Sequence, residues 1–149
     1  MGTRSLTVFE DDNGKYIATI YRQYDGYPSG HGKKLYDILN GMVVVNGLSS
    51  ATPKKAANGI GCMAAQVVAG LKECIGNVYL ESSPRSFQDL MQTMEDCWAD
   101  YTYLISVHAG KPRVHLYAGH DLEFEGTFED MGERYGFCEA TATEELVDA

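Results

Sequence analysis

Residues 101–118 alternate apolar and polar side chains on either side of Gly110-Lys111. A chain that does this must pair the two segments as an antiparallel hairpin with one buried face. Counting by twos puts Tyr103, Ile105, Val107, Val114 and Leu116 on the buried face and Ser106, His108, Arg113, His115 and Tyr117 on the other. A two-residue loop at Gly110-Lys111 sets His108 opposite Arg113 and Ser106 opposite His115. Residues 5–10 and 16–24 read as a second hairpin around Asn13-Gly14, residues 78–81 and 122–128 as further strands, and 42–45 as a short one. Leu35, Ile38 and Leu39 have helical spacing over 33–40, with Ser29 in the N-cap region and Gly41 placed to end the helix. Ile60, Met63, Val67 and Leu71 form one stripe of a helix over 55–73. Ser86 with Asp89 opens a third helix running to Met94 or Cys97. The pattern is an α+β fold: a mostly antiparallel sheet of about five or six strands with two or three helices packed on one face.

A chain of 149 residues, 44% of them hydrophobic, forms one domain over 1–149 with a real core. Apolar runs such as 42–45 and 60–65 fall far short of the roughly 20 residues that cross a bilayer, and the start lacks a signal-peptide layout, so the expected location is the cytoplasm. Residues 1–120 carry eleven basic and eleven acidic side chains, so the net charge of −9 arises entirely in 121–149. Such a segment repels a nucleic-acid backbone, whose affinity for proteins rests on Lys and Arg. From about residue 139 the acidic end fits either a solvated, disordered terminus or an arm for a partner's basic groove. Cys62, Cys74, Cys97 and Cys138 lack ligand spacing and read as reduced, mostly buried thiols; no metal or cofactor is expected.

Residues 22–34 are the densest cluster of chemistry-bearing side chains: Arg22, Tyr24, Asp25, Tyr27, Ser29, Gly30, His31, Gly32, Lys33 and Lys34. A strand entering a glycine-rich turn and then a helix is an anion-binding geometry, because glycine amides approach a ligand closely and the helix start favours negative charge. The spacing is not that of a phosphate-binding Walker loop. The alternative is a tight turn with Tyr24 and Tyr27 in the core. Asn58 and Gly59, near the start of the second helix, are a second candidate turn that either cooperates with the first or packs closely on the sheet. Cys62 there reads as an inert thiol or a nucleophile. His108, Arg113 and His115 form a secondary face, with His120 close by; Arg113 among them suits an anion or plain solvent better than a cation.

The opening Met1-Gly2-Thr3-Arg4-Ser5-Leu6-Thr7, the stretch Tyr21-Arg22-Gln23-Tyr24-Asp25-Gly26-Tyr27-Pro28-Ser29-Gly30-His31-Gly32, Val45-Asn46-Gly47 and Asn58-Gly59-Ile60-Gly61-Cys62 resemble an uncharacterised family of short proteins encoded by bacteriophages, large DNA viruses and bacteria. The likeness covers the first half of the chain. It implies a compact accessory protein, made by a phage in the host cytoplasm, that binds rather than turns over its target. The leading expectation is an anti-defence protein sequestering a small anionic or nucleotide signal of the host. A small hydrolase or transferase with His31 as general base oriented by Asp25 is one alternative, and an acidic inhibitor of a host protein is another. The sequence sets no oligomeric state and is compatible with a homo-oligomer.

Overall fold

A computed structural model describes residues 2–137. In chain order the elements are β1 (Ser5–Glu10), β2 (Tyr16–Arg22), a π-helical turn (Pro28–Gly32) running into α1 (Lys33–Leu39), β3 (Val43–Val45), β4 (Ala56–Asn58), α2 (Gly59–Leu71), β5 (Val78–Glu81), α3 (Phe87–Asp96), β6 (Tyr101–His108), β7 (Lys111–Ala118), β8 (Asp121–Thr127) and α4 (Phe128–Tyr135). Six strands form one sheet in the order β5-β2-β1-β6-β7-β8. Only β1 and β6 run parallel within it. β3 and β4 form a separate parallel pair.

The α+β architecture is the expected one, but its four helices cover both faces of the sheet rather than one, with α1, α2 and α4 on one side and α3 on the other. Phe9, Ile20, Tyr103, Ile105, Val114 and Leu116 face the three helices and pack with Leu35, Leu39, Met63, Val67, Leu71, Phe128 and Met131. Leu6, Val8 and Leu104 face Leu90, Met91 and Met94 of α3. Each fully buried side chain of this size contributes roughly 1.5–3 kcal/mol relative to exposure. Because helices cover both faces of β1, its alternation of Ser5 and Thr7 with Leu6 and Val8 does not mark a solvent side: all four are buried.

Several local expectations are corrected. The late hairpin turns at Ala109-Gly110, not Gly110-Lys111, so His108 pairs with Lys111, Ser106 with Arg113 and Leu104 with His115. Both turn residues have positive φ, 53° at Ala109 and 75° at Gly110, as a type I′ turn requires. Asn at that first position tolerates the left-handed region better than Ala. Ala109→Asn is therefore expected to raise stability by about 0.5–1 kcal/mol in chemical denaturation; an unchanged or lower midpoint counts against this account.

The second helix starts at Gly59 rather than near Lys55, because 56–58 are drawn off as β4 beside β3. Ser29 does not cap α1; it lies inside the π-helical turn, which makes no side-chain cap hydrogen bond. β8 stops at Thr127, where α4 begins, a helix the sequence reading did not include. The Thr127 hydroxyl accepts from Asp130 N, and the Asp130 carboxylate accepts from Thr127 N, both at 3.1 Å. Ser86 does cap α3, accepting from Asp89 N. The acidic end expected from about 139 lies outside the described residues.

Candidate functional site

β2 delivers Arg22 to the end of the sheet, and the chain folds back over β1 through residues 23–32. The glycine amides of that turn, and the amide of His31, are engaged. Gly26 N donates to Thr3 O at 2.8 Å, His31 N to Asp25 O at 2.9 Å, and Gly30 N and Gly32 N to Tyr27 O at 3.0 and 3.5 Å. The expected cradle of free glycine amides is therefore not formed. The glycines instead permit close packing: a Cβ on Gly26 would stand 2.7 Å from Ser5 Cβ, and one on Gly30 2.6 Å from Asp25 O. Tyr24 and Tyr27 do not enter the core but lie at the surface, 39% and 37% exposed.

His31 is wholly buried under this turn. Its Nε2 lies 2.6 Å from Thr7 Oγ1, its ring meets Tyr103 edge-on at 5.0 Å, and the Tyr103 hydroxyl donates to Gly26 O at 2.8 Å. Burial, reinforced by the positive charges of Arg22 and Lys34, pushes the His31 pKa down to about 3, so the ring is neutral. Burial likewise raises the Tyr103 phenol well above its ordinary value. The Asp25 carboxylate accepts from Tyr27 OH at 3.0 Å, and only the Asp25 main-chain carbonyl meets His31. That hydrogen bond is the first cause raising the Tyr27 pKa. A general base oriented by Asp25 is thus not assembled: the imidazole has neither that carboxylate nor access to solvent.

Arg22 is the unusual group. It is 3% exposed, its Nε donates to Tyr24 O at 2.7 Å, and its guanidinium lies 5.7 Å from the centroid of the Tyr24 ring. Nη1 is buried with no hydrogen-bond partner, and none of the ion pairs among the described residues reaches Arg22. Ser5, paired across the strands with Arg22, has an unpartnered buried hydroxyl, and His31 Nδ1 is also unpartnered. Lys33 and Lys34, by contrast, are engaged by Asp37 and Glu73 at 2.5 Å each, in exposed pairs. Ser29 is exposed and adds no contact to this group.

Asn58 and Gly59 do not join this site. Gly59 lies with Asp12, Val107 and Gly110 around a cleft of about 430 Å³ at the far end of the sheet, and Asn58 precedes it at the end of β4, whereas Gly26 packs against Ser5 at the start of β1. β1 alone, at about 3.3 Å per residue, separates the two turns by roughly 17 Å. The Asn58 carboxamide is committed to Gly47 N at 2.8 Å. A main-chain hydrogen bond from Asn58 and the Gln66 amide lower the Cys62 thiol pKa. The cysteines among the described residues are less buried than expected, with Cys62 and Cys97 half-buried and Cys74 exposed, and Cys138 lies outside the described residues.

On the α3 face, His108, Arg113 and His115 share one side of the sheet as expected. His115 pairs with Glu125 at 3.0 Å and His120 with Glu95 at 3.3 Å. Among the described residues no three His, Cys, Asp or Glu side chains are arranged to hold a metal. No helix among the described residues is long and apolar enough to cross a membrane. Sequence reasoning overlooked Ser5, Thr7 and Tyr103, the groups that meet the turn from beneath. Comparison with known proteins finds no matching family model, no matching curated protein and no matching solved structure.

Proposed function

We propose that this chain is a binding protein for a small anionic ligand, held by the Arg22 guanidinium rather than by glycine amides. One observation supports the reading: a nearly buried arginine that has an unpartnered Nη1 and no carboxylate within ion-pair distance among the described residues. An uncompensated buried cation is costly, and a phosphate or carboxylate able to take the guanidinium fork removes that cost. Tyr24 covers the guanidinium through a ring contact, and its hydroxyl meets the Cys74 thiol at 3.8 Å. Its outward swing exposes the cation and leaves two aromatic faces, Tyr24 and Tyr27, for a base to stack on. In a phage-type accessory protein this arrangement would sequester a nucleotide signal of the host, an anti-defence role.

Melting the protein with inorganic phosphate and a panel of mono-, di- and cyclic nucleotides tests the reading. A ligand at 100 times its Kd stabilises by about 2.7 kcal/mol. The shift is expected for wild type, to be lost in Arg22→Gln, and to leave the ligand chemically unchanged after long incubation. If no anion moves the melting temperature at millimolar concentration, or Arg22→Gln responds like wild type, the reading fails.

A further inference from the structure

The two edges of the sheet are guarded differently. β8 presents exposed Asp121, Glu123 and Glu125, which discourage a second acidic chain from pairing there. β5 carries a single acidic residue, Glu81, and its other exposed side chains are apolar or aromatic. Leu80 is 67% exposed, Tyr79 43% and the neighbouring Ile75 95%, and an apolar groove of about 490 Å³ runs along the strand between Ile20, Val68 and Val78. Exposed apolar side chains gathered on an unpaired strand edge mark an interaction site.

We propose that β5 is the interface of a two-fold symmetric homodimer in which the strands of two copies pair antiparallel and join their sheets. The phase of the hydrogen bonding selects the register. Gln23 N donates to Asn77 O at 3.0 Å, so residues 77, 79 and 81 bond inward to β2, and the N–H and C=O groups of Val78 and Leu80 point outward. A two-fold axis perpendicular to the sheet through Tyr79 sets Val78 opposite Leu80 of the partner subunit. This register uses all the outward groups and keeps α2 of both copies on one side. Leu80 of each copy then enters the groove of the other.

Charge complementarity selects a second copy of this chain as the occupant. Lys72 reaches the strand edge, where Nζ donates to Val78 O, Gly76 O and Ile75 O at 2.8, 2.9 and 3.0 Å and lies 5.3 Å from the Tyr79 ring centroid. The Val78 carbonyl keeps a second lone pair for Leu80 N of the partner subunit. In this register Glu81 of the partner subunit sits opposite Asn77, beside Lys72, and the pairing is reciprocal. Within its own chain Glu81 belongs to none of the ion pairs among the described residues. The edge is thereby neutral, and the chain's net charge of −9 lies elsewhere in the sequence.

Sedimentation equilibrium of the full chain tests this, with the mass expected to be twice the 16.4 kDa of one chain. Leu80→Glu places a carboxylate in the groove and is expected to give a monomer with an unchanged circular dichroism spectrum, since Leu80 is largely exposed. Glu81→Lys confronts two ammonium groups and should raise the dimer dissociation constant roughly tenfold or more. A wild-type monomer at the highest soluble concentration overturns the proposal. A folded Leu80→Glu variant that remains dimeric, or a Glu81→Lys variant that dimerises as tightly as wild type, does the same.

Discussion

Gly26→Ala is expected to destabilise the protein by about 2–3 kcal/mol, although Gly26 lies in a turn between elements rather than in a helix or strand. The added methyl would meet Ser5 Cβ at 2.7 Å and the Arg4 carbonyl carbon and Ser5 nitrogen at 2.9 Å. Two of those neighbours are main-chain atoms of the peptide that leads into β1, so the turn has to move instead. Both main-chain groups of Gly26 are bonded, N–H to Thr3 O at 2.8 Å and C=O to the Tyr103 hydroxyl at 2.8 Å, and any withdrawal stretches both. For a domain of this size each kcal/mol moves Tm by roughly 2–4 °C, which gives a fall of about 4–12 °C. Gly61→Ala supplies the opposite sign. That position lies in α2 with nothing within 4 Å of a new Cβ, and alanine there is expected to gain about 0.5–1 kcal/mol. Urea denaturation of the two variants separates close packing from ordinary helix propensity. A Gly26→Ala midpoint equal to wild type would show the turn to be open.

The contrast explains why the glycine-rich stretch misleads as an anion cradle when read alone. Glycine is required at an exposed phosphate-binding turn and equally where two main chains nearly touch. The difference lies in what stands opposite, here Ser5, 21 positions away in sequence, and Tyr103, 77 positions from Gly26. Neither separation leaves a trace in local pattern. Arg22 has the same ambiguity, since a strand-end arginine is ordinarily solvated, whereas here it lies between β1 and β5 with Tyr24 folded back over the guanidinium.

Where structure follows from local alternation, sequence and fold agree. The faces of the late hairpin survived a misplaced turn because the register moved by two residues, and a shift of two returns every side chain to its own side. The turn position is not legible in the pattern, because Ala109 adopts a left-handed conformation that alanine rarely takes. The last helix was legible in principle, through Thr127, Asp130 and Gly136, but its two turns are strongly acidic and resemble a solvated tail.

Stability should fall on mild acidification more steeply than the carboxylates alone dictate, and His31 is the reason. In the unfolded chain its imidazole takes a proton near pH 6.5; in the folded protein, buried against Thr7 and Tyr103 with Arg22 and Lys34 disfavouring a further cation, it does so only at about 3. Between these values the unfolded state holds the extra proton, so stability rises with pH, is fully present above 6.5 and is lost progressively as pH falls toward 3. One proton contributes about 1.36 kcal/mol per pH unit, so from pH 6.5 to 5 the loss is roughly 2 kcal/mol. His31→Gln leaves a hydrogen-bonding side chain facing Thr7 and removes the titration. Its stability, measured by urea denaturation at pH 7.5, 6 and 5, is expected to decline about 2 kcal/mol less than that of wild type. Parallel declines would mean that the folded protein protonates His31 as readily as the unfolded chain does. The ring would then be open to solvent, and with it the space beside Arg22 that the fold otherwise keeps shut.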